Sequence, residues 1–186
     1  MFGRIWSRTR VEAEIAHGLY GAIVTQAREP VFYRDFGVPD SVDGRFDMVV
    51  LHLFLAVEML ASEGERGAAV SQELMDAFVS DMDRSLREMG AGDMGVPRRI
   101  KTMAKSFFGR AEAYRESARS GDRDALAAAI ARNVFPEGDG VPPAAFALAD
   151  YSLDALVSGD ARAASLFRGE IAFADPTAFV PARAVP

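Results

Sequence analysis

Few residues of this 186-residue chain have the chemistry of an active site. It has no cysteine, which removes disulfides, thiolate metal ligands and cysteine nucleophiles, and only two histidines, His17 and His52. His52 lies in an apolar run with no histidine or carboxylate three or four residues further on, which favours a hydrogen-bonded core histidine over a proton shuttle or metal ligand. Asp81 and Asp83 point to different sides of a helix and form no catalytic dyad. The sequence predicts a protein that is not an enzyme, with no catalytic residue, metal site or cofactor.

A glycine motif could suggest nucleotide binding. Residues Gly90 to Gly95 match the dinucleotide pattern G-x-G-x-x-G letter for letter. That fingerprint must follow a strand and open a helix within a βαβ unit, whereas here it follows a helical pattern and the chain has no parallel-strand pattern. A helix end capped by Gly90 is the ordinary explanation.

Positive charge is concentrated in one segment of an acidic chain. The net charge is -6 and the pI is near 5.0, which argues against a general nucleic-acid binder. Between Pro97 and Arg115, however, the sequence has six basic residues and a single acid, and this segment holds both lysines of the chain, Lys101 and Lys105. The patch is either a solvated helix face or a docking surface for an anionic partner, and the residues alone leave both open. An anionic lipid surface and a protein with acidic loops would each fit.

Helical periodicity runs through most of the chain. Apolar residues recur at helical spacing from Val11 to Ala27, which predicts a first amphipathic helix ending near Arg28. The run from Met48 to Leu60 is apolar all round, which predicts a central buried helix. Further helices are predicted after Asp43 and Ser71, which would begin them, from Pro97 through Tyr114 with Phe107 and Phe108 on the apolar face, from Asp122 to Phe135, from Pro143 to Ser158, and from Asp160 to Arg168.

The remaining segments are predicted to be irregular. Residues 1–9 form an N-terminal arm, Pro30 to Gly44 an irregular, aromatic-rich connection anchored by Phe32, Tyr33 and Phe36, and residues 171–186 an extended tail. The glycines of Gly90 to Gly95 let two helices fold into an antiparallel hairpin. The sequence thus predicts a single all-α domain, like a helical bundle, of six or seven helices.

Two strings resemble a known family: FYRDFGVPDSVDGRFDMVVLH and SDMDRSLREMGAGDMGVPRRIKTMAKSFFGR. They closely resemble the ubiquinol-cytochrome c chaperone family, assembly factors for respiratory complex III, over about Tyr20 to Phe135. We therefore assign 10–135 as the family core, followed by C-terminal helices over 136–170. Motif positions carried over by the resemblance, together with further basic residues of the charged segment, give a predicted partner-binding surface: Asp81, Asp83, Arg84, Arg87, Gly90, Arg98, Arg99, Lys101, Lys105, Gly109 and Arg110.

The resemblance implies a non-enzymatic protein that binds newly made cytochrome b and helps its insertion and haem acquisition. Mitochondrial members act at the ribosome exit with a small helper protein. We expect no mitochondrial leader, since the chain resembles the short bacterial version, and the expected location is the cytoplasm, at the inner face of the membrane. The expected partners are cytochrome b or other complex III components, with a ribosome or a small helper protein as further candidates. The alternative is a peripheral protein that binds anionic lipid through Arg98, Lys101, Lys105 and the arm, or a general protein-interaction module.

Overall fold

The computed structural model describes residues 2–88, 96–157 and 164–181, with side chains for all of these except 2–9, 96–101, 104 and 106. Within these ranges the chain is all-α, with seven α-helices, a short 3-10 helix and no strand. The helices are α1 (Phe2–Ala27), α2 (Pro30–Arg34), α3 (Val42–Ala61), α4 (Gly64–Glu88), α5 (Val96–Ser120), α6 (Arg123–Val134) and α7 (Pro143–Val157), and the 3-10 helix spans Pro176–Phe179.

Helix α3 is the centre of the fold, as its apolar sequence predicts. It contacts α1, α4, α5, α6 and α7. Every residue from Met48 to Ala56 is buried, including Leu51, Leu53 and Phe54, which have no exposed surface. Because neighbouring helices cover this stretch on all sides, it can be apolar all round and needs no polar face.

Helices α4 and α5 pack on each other through the predicted apolar stripes. Phe78 of α4 and Phe107 of α5 have ring centroids 5.8 Å apart, and Ala111 and Tyr114 of α5 are also buried. Phe108, predicted to lie on this buried face, is instead 62% exposed and packs edge-on against Phe107. The glycine segment that connects the two helices lies outside the described residues.

Helix α1 is longer than predicted. It begins at Phe2, so the backbone of the expected arm continues the helix, because no proline interrupts residues 2–10. Ile15, Leu19 and Ile23 form the buried stripe, but Val11 is 46% exposed. The connection after α1 contains the short helix α2, and Phe32 and Phe36 are buried there as expected, with Tyr33 half-buried.

Two predicted helix starts are wrong. The N-cap of α3 is Ser41, whose side chain accepts a hydrogen bond of 3.1 Å from the backbone N–H of Gly44. Asp43 lies within the first turn, where its carboxylate interacts favourably with the positive end of the helix dipole. Helix α4 begins at Gly64 rather than near Ser71, because the break after α3 is confined to the turn at Ser62 and Glu63.

The C-terminal third follows the prediction more closely. Asp122 caps α6 by accepting a 2.9 Å hydrogen bond from the backbone N–H of Ala125, and α7 begins at Pro143. The tail crosses the body and packs Phe173 and Phe179 on the core before and within the 3-10 helix. The predicted cap at Asp160 lies outside the described residues.

Two glycines make a matched test of helix packing. A Cβ on Gly67 would lie 2.0 Å from the carbonyl oxygen of Leu60, where the start of α4 crosses the end of α3, whereas a Cβ on Gly109 of α5 would enter open space. We expect Gly67→Ala to lower the free energy of unfolding by about 1–3 kcal/mol, because the backbone of α3 or α4 would have to shift to make room for the added methyl group. Gly109→Ala should raise it by about 0.5–1 kcal/mol by removing helix-interior glycine. Urea unfolding of both variants checks this, and a loss of stability in Gly109→Ala would contradict it.

Candidate binding cleft

An open, largely apolar cleft lies where α1, α3, α4 and α5 meet. Its volume is about 360 Å³. The apolar lining residues are Val24 of α1, Val42, Phe46 and Val49 of α3, Met82 and Leu86 of α4, and Met103 of α5. Val42 is 66% exposed at the edge, so part of this apolar surface is open to solvent. Methionine side chains are flexible and polarisable, which suits a surface that must fit different apolar shapes.

A buried aromatic cluster joins the four helices that line the cleft. Phe78 is 1% exposed, and its ring centroid lies 6.1 Å from that of Phe46, 5.8 Å from Phe107 and 6.5 Å from Tyr20. These four rings come from α1, α3, α4 and α5, the same helices that form the cleft walls. Aromatic packing of this kind holds the walls at a defined separation, so the cleft is preformed.

Charged residues form the edge of the cleft. Its charged lining residues are Arg28 and Arg45, together with Asp81 and Glu88 of α4. Asp81 accepts a 2.9 Å hydrogen bond from the Tyr20 hydroxyl and is also paired with Arg84. Burial, together with the Asp81 carboxylate, raises the pKa of Tyr20 well above its usual range, so the hydroxyl stays protonated and keeps donating.

A partly buried ion pair lies beside Phe46. Asp47 Oδ1 and Arg110 Nη1 are 2.5 Å apart, and the side chains are 8% and 22% exposed. Neither atom has another hydrogen-bond partner in the part of the chain that the structure describes. Arg110 also donates through Nε to Asn133 Oδ1 at 3.2 Å and lies over the Phe46 ring, 5.5 Å from its centroid. Burial raises the pKa of Asp47 to about 6, although Arg110 opposes the shift.

The structure places some of the predicted partner-binding residues on the exposed surface and uses others inside the protein. Asp83 and Arg87 form an exposed ion pair of 2.7 Å on α4, and Asp81 and Arg84 pair at the cleft edge. Lys105 is exposed on α5. Gly109 is also exposed on α5, whereas Arg110 pairs with Asp47 and Asn133 inside the protein. The side chains of Arg98, Arg99 and Lys101, and all of Gly90, lie outside the described residues.

Sequence reasoning missed several residues of the cleft. Arg28, Val42, Arg45 and Phe46 lie in or next to the aromatic-rich connection, far along the chain from Asp81 and Met103. The sequence shows an apolar residue, Val42, three positions before Arg45, but only the packing of α3 against α4 shows that Val42 faces a cleft. Arg115, the last residue of the basic segment, pairs within the protein, since its Nε donates to Glu58 Oε1 at 2.6 Å.

His52 is a core residue, as predicted. It has no exposed surface; its Nδ1 lies 2.7 Å from the Met48 carbonyl oxygen and its Nε2 2.9 Å from the Tyr151 hydroxyl. A carbonyl oxygen only accepts, so Nδ1 carries the proton and Nε2 accepts from Tyr151. Burial lowers the pKa of His52 to about 4, so the ring is neutral at physiological pH.

The described residues hold no group of three or more metal-ligating side chains, and none of their helices has a stretch long and apolar enough to cross a bilayer.

The described chain is an all-α domain with an open apolar cleft between its helices, lined in part by charged residues. The profile of the ubiquinol-cytochrome C chaperone family matches residues 34–173, and the chain belongs to that family, whose members are assembly chaperones for ubiquinol-cytochrome c reductase.

Known proteins support this assignment. The crystal structure of the Cbp3 homolog from Brucella abortus is similar to this chain with a TM-score of 0.79 and 37% identity, covering 95% of this chain and 98% of that one. Ubiquinol-cytochrome c reductase complex assembly factor 1 of Drosophila melanogaster is 28% identical over 64% of this chain and 48% of its own length. The Xenopus laevis assembly factor 1 is 23% identical over 63% and 58%. The chain thus spans about half the length of these curated relatives.

Proposed function

We propose that this protein is a non-enzymatic chaperone that binds newly made cytochrome b, and holds an apolar segment of it in the cleft before complex III is assembled. The observation that carries the proposal is an open, preformed apolar cleft whose residues fall mostly within the part of the chain that matches the family. A membrane subunit that has not yet been inserted exposes apolar segments, and covering them lowers the free energy of the complex in water.

The size of the cleft limits what it would hold. A transmembrane helix is about 30 Å long, whereas a cleft of about 360 Å³ takes only several apolar side chains. The chaperone would therefore bind part of one client segment and leave the rest of that segment available for insertion into the membrane. Because the client is a membrane protein, we place this action in the cytoplasm at the inner face of the membrane.

A charge placed at the edge of the cleft tests the proposal. Val42 is exposed and is the first residue of α3, where an acidic side chain favours the helix. We expect Val42→Asp to fold normally but to capture about tenfold less cytochrome b, because an apolar segment would have to pack on a charge. The measurement is co-purification of newly made cytochrome b with the tagged protein from its host, together with the level of assembled complex III.

Val141→Asp is the matched control. Val141 is also an exposed valine, but it precedes α7, away from the cleft. The Val141→Asp variant should leave the capture of cytochrome b and the level of assembled complex III unchanged. Equal capture by native protein and Val42→Asp would show that the cleft is not the client site, and a host that assembles normal complex III without this protein would reject the chaperone role altogether.

A further inference from the structure

A second cavity adjoins the apolar cleft and is rich in arginine. Its volume is about 490 Å³, and it is lined by Arg28, Pro30, Tyr33, Arg34, Asp40 and Arg45. Arg28 and Arg45 also line the apolar cleft, so the two cavities meet along these side chains. The result is one continuous surface with an apolar part between the helices and a basic part beside α2.

The three arginines of the basic part differ in their ion-pair partners. Arg45 is paired with Asp40 at 2.7 Å and Arg34 with Asp35 at 2.7 Å, both on the exposed surface. Arg28 is exposed at the end of α1 and forms no salt bridge among the described residues. A guanidinium in this position can pair with an incoming carboxylate through two parallel N–H···O hydrogen bonds.

We propose that this arginine cavity binds acidic side chains that follow the apolar stretch of the client, so that the client segment lies in one direction, with its acidic end over α2. This inference rests on the proposed function, since it names the chemistry of the segment that the cleft would hold. The apolar cleft supplies affinity for any apolar segment, and the arginines would select one that carries carboxylates at the correct end.

The charges favour a polypeptide over an anionic membrane surface. Asp81 and Glu88 line the apolar cleft together with Arg28 and Arg45, and the whole chain has a net charge of -6. An anionic bilayer would meet these acids together with the arginines and gain little. A peptide with an acidic end and a neutral or basic remainder can place its acids in the arginine cavity and its remainder in the cleft that Asp81 and Glu88 also line.

Two synthetic peptides test the inference. Both carry the same leucine-rich helical stretch, followed in one by glutamates and in the other by glutamines. We expect the glutamate peptide to bind the full-length protein about tenfold more tightly, with a difference that shrinks as salt is raised. Arg28→Gln should remove the difference, Arg28→Lys should keep most of it, and Arg132→Gln, at an exposed arginine of α6, should leave it unchanged.

The outcomes separate this inference from the proposed function. Equal binding of the two peptides, with both weakened by Val42→Asp, would overturn the arginine proposal and leave the cleft as a client site. Failure of both peptides to bind would overturn the two proposals together. If phosphatidylglycerol vesicles displaced the glutamate peptide but phosphatidylcholine vesicles did not, the arginine cavity would be a lipid phosphate site, which also overturns the proposal.

Discussion

Replacing Arg110 with methionine is expected to lower the free energy of unfolding by about 3 kcal/mol, since the Asp47 carboxylate would lose its counterion in a buried position. Asp47 is 6% exposed, and its nearest cationic group is the Arg110 guanidinium at 2.5 Å. The variant also loses the hydrogen bond to Asn133 and the contact with the Phe46 ring. Urea unfolding at pH 7 measures the change.

A double variant distinguishes the charge from the packing. Asp47→Leu combined with Arg110→Met replaces the pair with apolar side chains, and such replacements of buried ion pairs are often neutral or stabilising. We expect it to recover most of the stability that Arg110→Met loses. If the double variant were instead less stable than Arg110→Met, the pair would contribute through geometry rather than through the cost of an unpaired buried charge.

This prediction bears on the partner-binding surface. Arg110 belongs to the motif from which that surface was predicted, yet its guanidinium is used between α3, α5 and α6. A loss of client binding in an Arg110 variant would therefore have to be compared with its loss of stability. Asp83, Arg84 and Arg87 remain exposed enough for substitution without this complication.

The fold class could be predicted because helix formation depends mainly on the spacing of apolar residues that are close in the sequence. A continuous apolar run located α3, and apolar residues every three or four positions located α4, α5 and α6. The absence of paired ligands around His52 predicted a core histidine. The buried residues Leu19, Phe78 and Tyr114 lie on the predicted stripes. These features depend on neighbours within one or two helical turns, which the sequence shows directly.

The cleft could not be predicted because it depends on how helices pack. Val11 and Phe108 continue apolar stripes but are exposed, since the neighbouring helix does not cover them. Asp47 and Arg110 are far apart in the sequence, and no periodicity links them. In the same way, Arg28 and Met103 become neighbours of one cleft only after α1, α3, α4 and α5 pack around Phe78.

Two buried titratable groups are expected to give opposite pH dependences. The pKa of His52 falls from 6.5 to about 4 on folding, so between these values the unfolded state binds more protons and stability falls as pH is lowered. The pKa of Asp47 rises from 3.8 to about 6, so the folded state binds more protons and stability falls as pH is raised. Over the shared window the two slopes largely cancel.

Single substitutions should therefore reveal each slope relative to the native protein. His52→Gln leaves the Asp47 contribution alone, and its stability should fall by about 3 kcal/mol relative to native protein as pH rises from about 4 to 6. Asp47→Asn leaves the His52 contribution, and its stability should rise by a similar amount over the same range. Urea unfolding at a series of pH values measures both. Parallel profiles for all three proteins would mean that neither group changes its protonation on folding, because a shared slope can come only from groups that the variants have in common.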